Sequence, residues 1–133
     1  MIVVDTNIIA YLHIAGESTP LALQVLEKDS HWVAPPLWQS EYRNVLTSYI
    51  KHKVIDLEEA IRLLENGLNT MQNRELAPTN ALVLTLASQS ASSSYDCEFV
   101  ALAREIGCKL VTADKQIVRN FPDTAILLEE FIK

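Results

Sequence analysis

Apolar and polar positions fall into blocks that predict strands and helices in alternation. Ile2-Val3-Val4 is an apolar run that stops at Asp5, and residues 2–5 read as a short, fully buried strand. A helix is expected from Asn7 to Ile14, with Asp5, Thr6 or Asn7 as its cap and with Gly16 and Pro20 as punctuation after it. From Pro20 to Lys28, Leu21, Val25 and Leu26 recur at helical spacing. His31-Trp32-Val33-Ala34 reads as a second strand closed by Pro35-Pro36. A long helix follows, from about Leu37 to His52. Asp56 is placed to cap another helix, with Ile61, Leu64 and Leu68 as its apolar stripe. Glu58, Glu59, Arg62 and Glu65 fall on its solvated side.

The second half repeats the alternation. Glu75-Leu76-Ala77 reads as a minimal strand, and Thr79 or Asn80 as the cap of a helix through Ala87. A short Ser-rich stretch, Ser88 to Ser94, leads into Tyr95-Asp96 and a helix that ends near Gly107, a suitable left-handed stop. Lys109 to Thr112 forms a strand just before Asp114. A short helix, a strand from Thr124 to Leu128 and a final turn complete the chain. Strands separated by helices imply βαβ units. The expected class is α/β: a three-layer α/β/α arrangement around a parallel sheet of about four or five strands, in a single domain spanning residues 1–133. Ligands of such sheets gather beyond the carboxyl ends of the strands.

Composition narrows the function classes. The chain has 133 residues, 49% hydrophobic and 21% charged, within the ordinary range for a globular domain. Its formal charge of −6 argues against gripping nucleic acid by bulk electrostatics. It leaves room for a site in which a bound cation reverses the local field. No apolar run reaches the roughly 20 residues of a membrane span, and the N-terminus does not read as a signal peptide. A cytoplasmic location is the default expectation. Cys97 and Cys108 sit on one helix or its end, roughly 16 Å apart along its axis, too far for a disulfide. Both read as reduced core residues.

Four acids break the pattern. Asp5 directly follows one apolar strand, and Asp114 lies two residues past another. Either one alone reads equally well as a loop or cap residue. Glu41 shares a helix face with Leu37, Val45 and Tyr49, at the edge of an apolar arc, where a carboxylate is costly unless paired or bound to an ion. An arginine partner such as Arg43 is the simple alternative. Asp96 opens a helix carrying Phe99, Val100, Leu102 and Ala103, and Ser93 with Asp96 matches a capping pattern. Glu98 is rotated by about 200° from Asp96 and reads as a solvated or supporting acid. If the four converge, their pKa values rise without a cation. An all-oxygen carboxylate site favours Mg²⁺ or Mn²⁺ over Zn²⁺. His13, His31 and His52 have no Ser or Cys pairing that suggests covalent catalysis.

Val4-Asp5-Thr6-Asn7, Glu41, Tyr95-Asp96 with Val100-Ala101-Leu102-Ala103, and Leu110-Val111-Thr112-Ala113-Asp114 together resemble the PIN-domain family. They look most like its VapC-type toxins of toxin–antitoxin pairs. The resemblance runs from Ile2 to about Phe121. It implies a parallel sheet flanked by helices and a metal-dependent endoribonuclease that cuts RNA by in-line attack of water, leaving a 5′-phosphate and a 3′-hydroxyl. By the same resemblance, Asp5, Glu41, Asp96 and Asp114 form an acidic quartet. Asp5 and Asp96 are its chief metal ligands, Asp114 binds metal directly or through water, and Glu41 acts through water. Thr112, Thr6 and Asn7 orient a carboxylate or the scissile phosphate, with turn and cap chemistry as the alternative. A homodimer and an antitoxin protein that enters the acidic groove are the implied partners. Leu12, Leu21, Val25 and Leu46 line either core or interface. Some relatives carry a further acid or Asn shortly after the fourth Asp. Here Lys115 and Gln116 follow, leaving the number of metals open. Two other classes fit less well. One is a non-catalytic PIN-like module that binds RNA or protein. The other is a receiver-like phosphotransfer domain, which needs an early acidic pair and a mid-chain phosphoacceptor that this chain does not place.

Overall fold

The computed structural model describes all residues, 1–133. The strands are β1 (Ile2–Val4), β2 (Trp32–Val33), β3 (Leu110–Thr112) and β4 (Ala125–Leu127). The helices are α1 (Thr6–His13), α2 (Thr19–Lys28), α3 (Leu37–Lys51), α4 (Leu57–Thr70), α5 (Asn80–Ser88), α6 (Ser94–Ile106), α7 (Lys115–Asn120) and α8 (Leu128–Phe131). The sheet order is β2-β1-β3-β4, and every pairing is parallel. The expected α/β sheet flanked by helices is present. Glu75 adds only an isolated bridge beside Ala34 and no full strand.

The strands are short, and the two central ones are fully buried. Val3, Val4, Leu110 and Val111 have no exposed surface, as apolar runs in a parallel sheet require. After β1 the chain moves to one side to build β2, then returns to the other side of β1 to build β3. The sheet thus reverses direction between β1 and β3, where a crevice opens at the carboxyl ends. The register pairs Val3 with Leu110 and Val4 with Val111, so Asp5 and Thr112 come next, side by side.

Two helical groups flank the sheet. α6 packs on β1 and β3 and is backed by α5, while α1 packs against α2, α3 and α4. Thirty buried apolar residues form one core, with Leu12 and Leu21 partly buried against it and Val25 and Leu46 within it. Val25 and Leu46 therefore serve the core, and Leu12 and Leu21 lie at its edge. In α4 the inward stripe is Ala60, Leu63 and Gly67, while Ile61 is 49% exposed. This corrects the expected stripe by one residue. Gly67 sets the register because its missing side chain is the space that the Tyr42 ring of α3 occupies. Leu64 and Leu68 remain half-buried on the flank.

Local signals set most helix ends. The Asp56 carboxylate accepts from the Glu59 N–H, and the Ser93 hydroxyl accepts from the Asp96 N–H. Gly107 ends α6 at φ 80°, a conformation open to glycine without a Cβ penalty. Thr79 precedes α5 differently: its hydroxyl and its N–H both donate to Glu105. Cys97 is buried, Cys108 is half-buried, and both are free thiols. No helix is long and apolar enough to cross a membrane.

Candidate active site

Asp5, Glu41, Asp96 and Asp114 line one open cleft of about 290 Å³, together with Thr6, Asn7, Asn44 and Val45. Each acid arrives by a different route. Asp5 leaves β1 and caps α1, its Oδ1 accepting from the Thr6 N–H at 2.8 Å. Its other oxygen accepts from the Thr112 hydroxyl at 2.7 Å and, at 3.4 Å, from the Asn7 amide. Glu41 stands on α3, and its Oε1 accepts from the Thr6 hydroxyl at 2.7 Å. Asp96 lies in the first turn of α6, but Ser93 is the capping residue there. Its carboxylate is therefore free of that duty. Asp114 caps α7: its Oδ1 accepts from the N–H groups of Gln116 and Ile117. The other oxygen of Asp114 is left for the cleft.

The hydroxyl of Thr112 ties the two strand ends together. It donates to Asp5 and accepts from the Asp114 N–H at 3.0 Å. The Asn7 side-chain oxygen accepts from the Ala113 N–H at 3.2 Å, a second clamp between α1 and the loop after β3.

No basic side chain neutralises the acids. The ion pairs of the fold are Met1 amino to Asp29, Arg62 to Glu59 and Lys133 to Glu130. Arg43, the simple partner for Glu41, instead donates to Ser40. Lys115 is exposed and stands outside the lining. Burial raises the Asp5 carboxyl to about 6 and, with Glu41 and Asp96 nearby, outweighs the opposing hydrogen bonds from Thr112 and Thr6. Burial also raises Glu41, with the charges of Asp96 and Glu98 adding to it and the Thr6 hydrogen bond opposing. Asp96 is raised by burial and then by Asp114. The acids therefore interact as a group.

The carboxylates ring the cleft without closing into a cage. No group of three or more His, Cys, Asp or Glu side chains is drawn tightly enough together to hold an ion unaided. That geometry still fits a hard divalent ion. Mg²⁺ typically binds through one or two carboxylates and fills its remaining positions with water and substrate phosphate oxygens. The donor set is all oxygen, without a cationic partner in the chain and partly desolvated. A divalent cation would relieve the repulsion that raises these pKa values.

Val45 was expected on the Glu41 face, though not as a wall of the site, and Asn44 was not anticipated. Asn44 follows Glu41 by three residues, so helical spacing places it on the same face, a signal legible in the sequence. Glu98 lines a different and larger hollow of about 530 Å³ beside α5, with Ala77, Pro78, Asn80, Val83, Leu84 and Ser94. Size alone would select that hollow, but it holds only one acid. The histidines stay away from the cleft. His13 meets Thr70 at 2.9 Å. His52 does approach a serine: its Nδ1 lies 3.4 Å from the Ser48 hydroxyl and 2.8 Å from the Ser48 carbonyl oxygen. This is a contact within the exposed last turn of α3.

A parallel sheet with a carboxylate-lined crevice at its reversal point defines an α/β protein with an acidic cleft at the strand ends. Within that class, the chain belongs to the PIN domain family, whose model matches residues 2–124. It is 27% identical over 124 residues to Ribonuclease VapC3 of Pyrobaculum aerophilum, covering 91% of this chain and 95% of that protein. Its fold is similar to the crystal structure of PAE2754 from Pyrobaculum aerophilum, with TM-score 0.77, 22% identity and coverage of 98% and 92% of the two chains. It is also similar to that of FitAcB from Neisseria gonorrhoeae, with TM-score 0.72, 17% identity and 96% coverage of each chain.

Proposed function

We propose that this chain, as one domain over residues 1–133, is an Mg²⁺- or Mn²⁺-dependent endoribonuclease and the toxin of a toxin–antitoxin pair. The observation that carries this reading is the meeting of Asp5, Glu41, Asp96 and Asp114 in one cleft with no cation of the chain paired to them. Family membership and the relative named as a ribonuclease add support.

In this reading Asp5 and Asp96 are the principal ion ligands. Asp114 offers the oxygen that α7 does not use, and Glu41 acts through water. A bound Mg²⁺ or Mn²⁺ would supply charge neutralisation at the scissile phosphate and would make water a better nucleophile there. The protein's own part is orientation. Thr112 and the Thr6 N–H hold Asp5, and the Thr6 hydroxyl holds Glu41, so little reorganisation is needed when substrate arrives. No side-chain nucleophile is required. Hydrolysis leaves a 5′-phosphate and a 3′-hydroxyl.

The acidic cleft also suits a basic segment of an antitoxin, because an arginine there would satisfy oxygens that lack a protein donor. The proposed setting is the cytoplasm, with a homodimer as the working assembly. The test is cleavage of single-stranded RNA by the folded protein under Mg²⁺ or Mn²⁺ titration, with Asp5→Asn as control. Ion-stimulated cutting by the wild type, lost in the variant, is expected. Cutting that ignores both ion and variant sinks the reading. A neighbouring reading frame for a small DNA-binding protein would support the toxin assignment over a general ribonuclease.

A further inference from the structure

We infer that Asn44 is a substrate-positioning residue, its carboxamide donating to an acceptor oxygen of the ribose–phosphate backbone of RNA held in the acidic cleft. The inference rests on the nuclease reading and adds to it the residue that receives the strand.

The cleft presents a specific difficulty. Four of its lining residues are acids, and neither Lys nor Arg is among the rest. One divalent ion leaves part of that negative charge in place, so an RNA strand needs hydrogen-bond donors to lie against this wall. Most polar groups of the lining are already engaged. The Thr6 hydroxyl donates to Glu41. The Asn7 amide donates to Asp5, and its oxygen accepts from the Ala113 N–H. Thr112 behind them donates to Asp5. Asn44 differs, because its carboxamide borders the cleft, is exposed and has no hydrogen bond within the chain.

Its setting supports the same conclusion. Asn44 lies in the interior of α3 (Leu37–Lys51), where asparagine is a poorer helix former than Ala, Lys or Glu. It caps nothing, and helix formation alone would favour another residue. Three residues before it, Glu41 is fixed by Thr6, so the carboxamide is carried on an anchored turn. Beside it Val45 gives the cleft its one apolar wall. A neutral donor next to an apolar patch contacts a sugar–phosphate backbone without adding a charge that would compete with the ion.

The test separates this role from ion binding and from cleavage. Affinity of a fluorescein-labelled single-stranded RNA of mixed sequence, and of its DNA counterpart, is measured by anisotropy with Ca²⁺ replacing Mg²⁺. Mn²⁺ affinity is measured by calorimetry without nucleic acid. Asn44→Ala, which raises helix propensity and should fold, is expected to weaken RNA binding about tenfold, the equivalent of one lost hydrogen bond in a charged setting. Mn²⁺ affinity should stay unchanged. Asn44→Asp, nearly isosteric but unable to donate, should weaken RNA binding at least as much. A loss shared by RNA and DNA assigns the contact to phosphate, and a loss confined to RNA assigns it to the 2′-hydroxyl. Unchanged RNA affinity in both variants, loss of Mn²⁺ binding in Asn44→Ala, or no RNA binding by the wild type would overturn the inference. Wild-type protein that binds RNA but does not cut it with Mg²⁺ or Mn²⁺ would instead sink the nuclease reading and leave the role of Asn44 in place.

Discussion

The Thr112 hydroxyl stands 2.7 Å from Asp5 Oδ2 and joins the ends of two neighbouring strands through one proton. The sheet register brings the two residues side by side. Asp5 and Thr112 each follow the paired Val4 and Val111 by one residue, and the Asp5 N–H donates to the Val111 carbonyl at 3.0 Å. Thr6 does the same for Glu41 from the first turn of α1. Both buried or half-buried carboxylates are therefore aimed by threonine hydroxyls and not by cations.

Thr112→Val removes the hydroxyl at nearly constant volume. At this fully buried position Asp5 loses a hydrogen-bond donor and the Asp114 N–H loses its acceptor. The expected cost is about 1–3 kcal/mol of stability, measurable by urea denaturation. The Asp5 pKa should move further up, because the lost bond opposed the effect of burial. Ion-dependent cleavage should then require a higher pH. Thr112→Ser keeps the hydroxyl and should retain most of the rate. A valine variant with wild-type stability and pH profile would mean that the contact is incidental.

Glu41→Gln keeps an oxygen for Thr6 but removes the charge. The fold should hold, because the half-buried carboxylate is already disfavoured by burial. Cleavage should fall at least tenfold, about 1.4 kcal/mol in the barrier. Thr6→Val should produce a smaller loss, since it frees the carboxylate without deleting it. Single-turnover kinetics on one RNA substrate compares the two. Unchanged kinetics in Glu41→Gln would make Glu41 a structural residue.

The sequence made the sheet side of the site legible, because Asp5 and Asp114 end apolar strands and strand ends of parallel sheets converge. Glu41 was legible as a carboxylate on the edge of an apolar arc. Its depth was not, because it depends on how α3 packs against α1. Asn44 went unnoticed although its helical offset from Glu41 was available, since an exposed Asn has no energetic signature of its own. The α4 stripe was misplaced by one residue because periodicity counts Ile61 as apolar and Gly67 as neutral. Packing reverses those values when a ring must fit against the backbone.

Gly67→Ala tests that packing. An added Cβ would lie 2.7 Å from the Tyr42 ring and 3.6 Å from Trp38. The Tyr42 ring has little freedom to retreat: its hydroxyl donates to the Leu63 carbonyl at 2.9 Å, and it stacks on Trp38 at 5.9 Å. Alanine improves helix propensity by up to about 1 kcal/mol, whereas overpacking costs about 1–3 kcal/mol. The net expectation is destabilisation of up to about 2 kcal/mol. Since α3 also carries Glu41, cleavage should fall beyond what the unfolded fraction explains. A more stable Gly67→Ala variant would mean that α3 and α4 separate easily.

Asp5 links stability to pH and to the ion. Burial pushes its carboxyl up to about 6 from an ordinary value of 3.8. Below the lower value both folded and unfolded states hold the proton, and the native state bears no charge penalty there. As pH rises toward the higher value, the unfolded chain releases its proton first, so the unfolded state becomes relatively favoured. The ion-free protein should therefore lose on the order of 3 kcal/mol between about pH 4 and pH 6 from this group alone. That is roughly 10 °C in Tm for a domain of this size. Asp5→Asn should flatten this fall and, in chelator, melt higher than wild type above about pH 7, because the buried charge is gone. Mn²⁺ at about a hundred times its dissociation constant should restore about 2.7 kcal/mol to the wild type and much less to the variant. The gain should fade as protonation of Asp5 competes with the ion. Thermal unfolding of both proteins across that pH range, with chelator and with Mn²⁺, checks all three expectations. A wild type that melts identically in chelator and in saturating Mn²⁺ at neutral pH would show that Asp5 carries its buried charge without help from an ion.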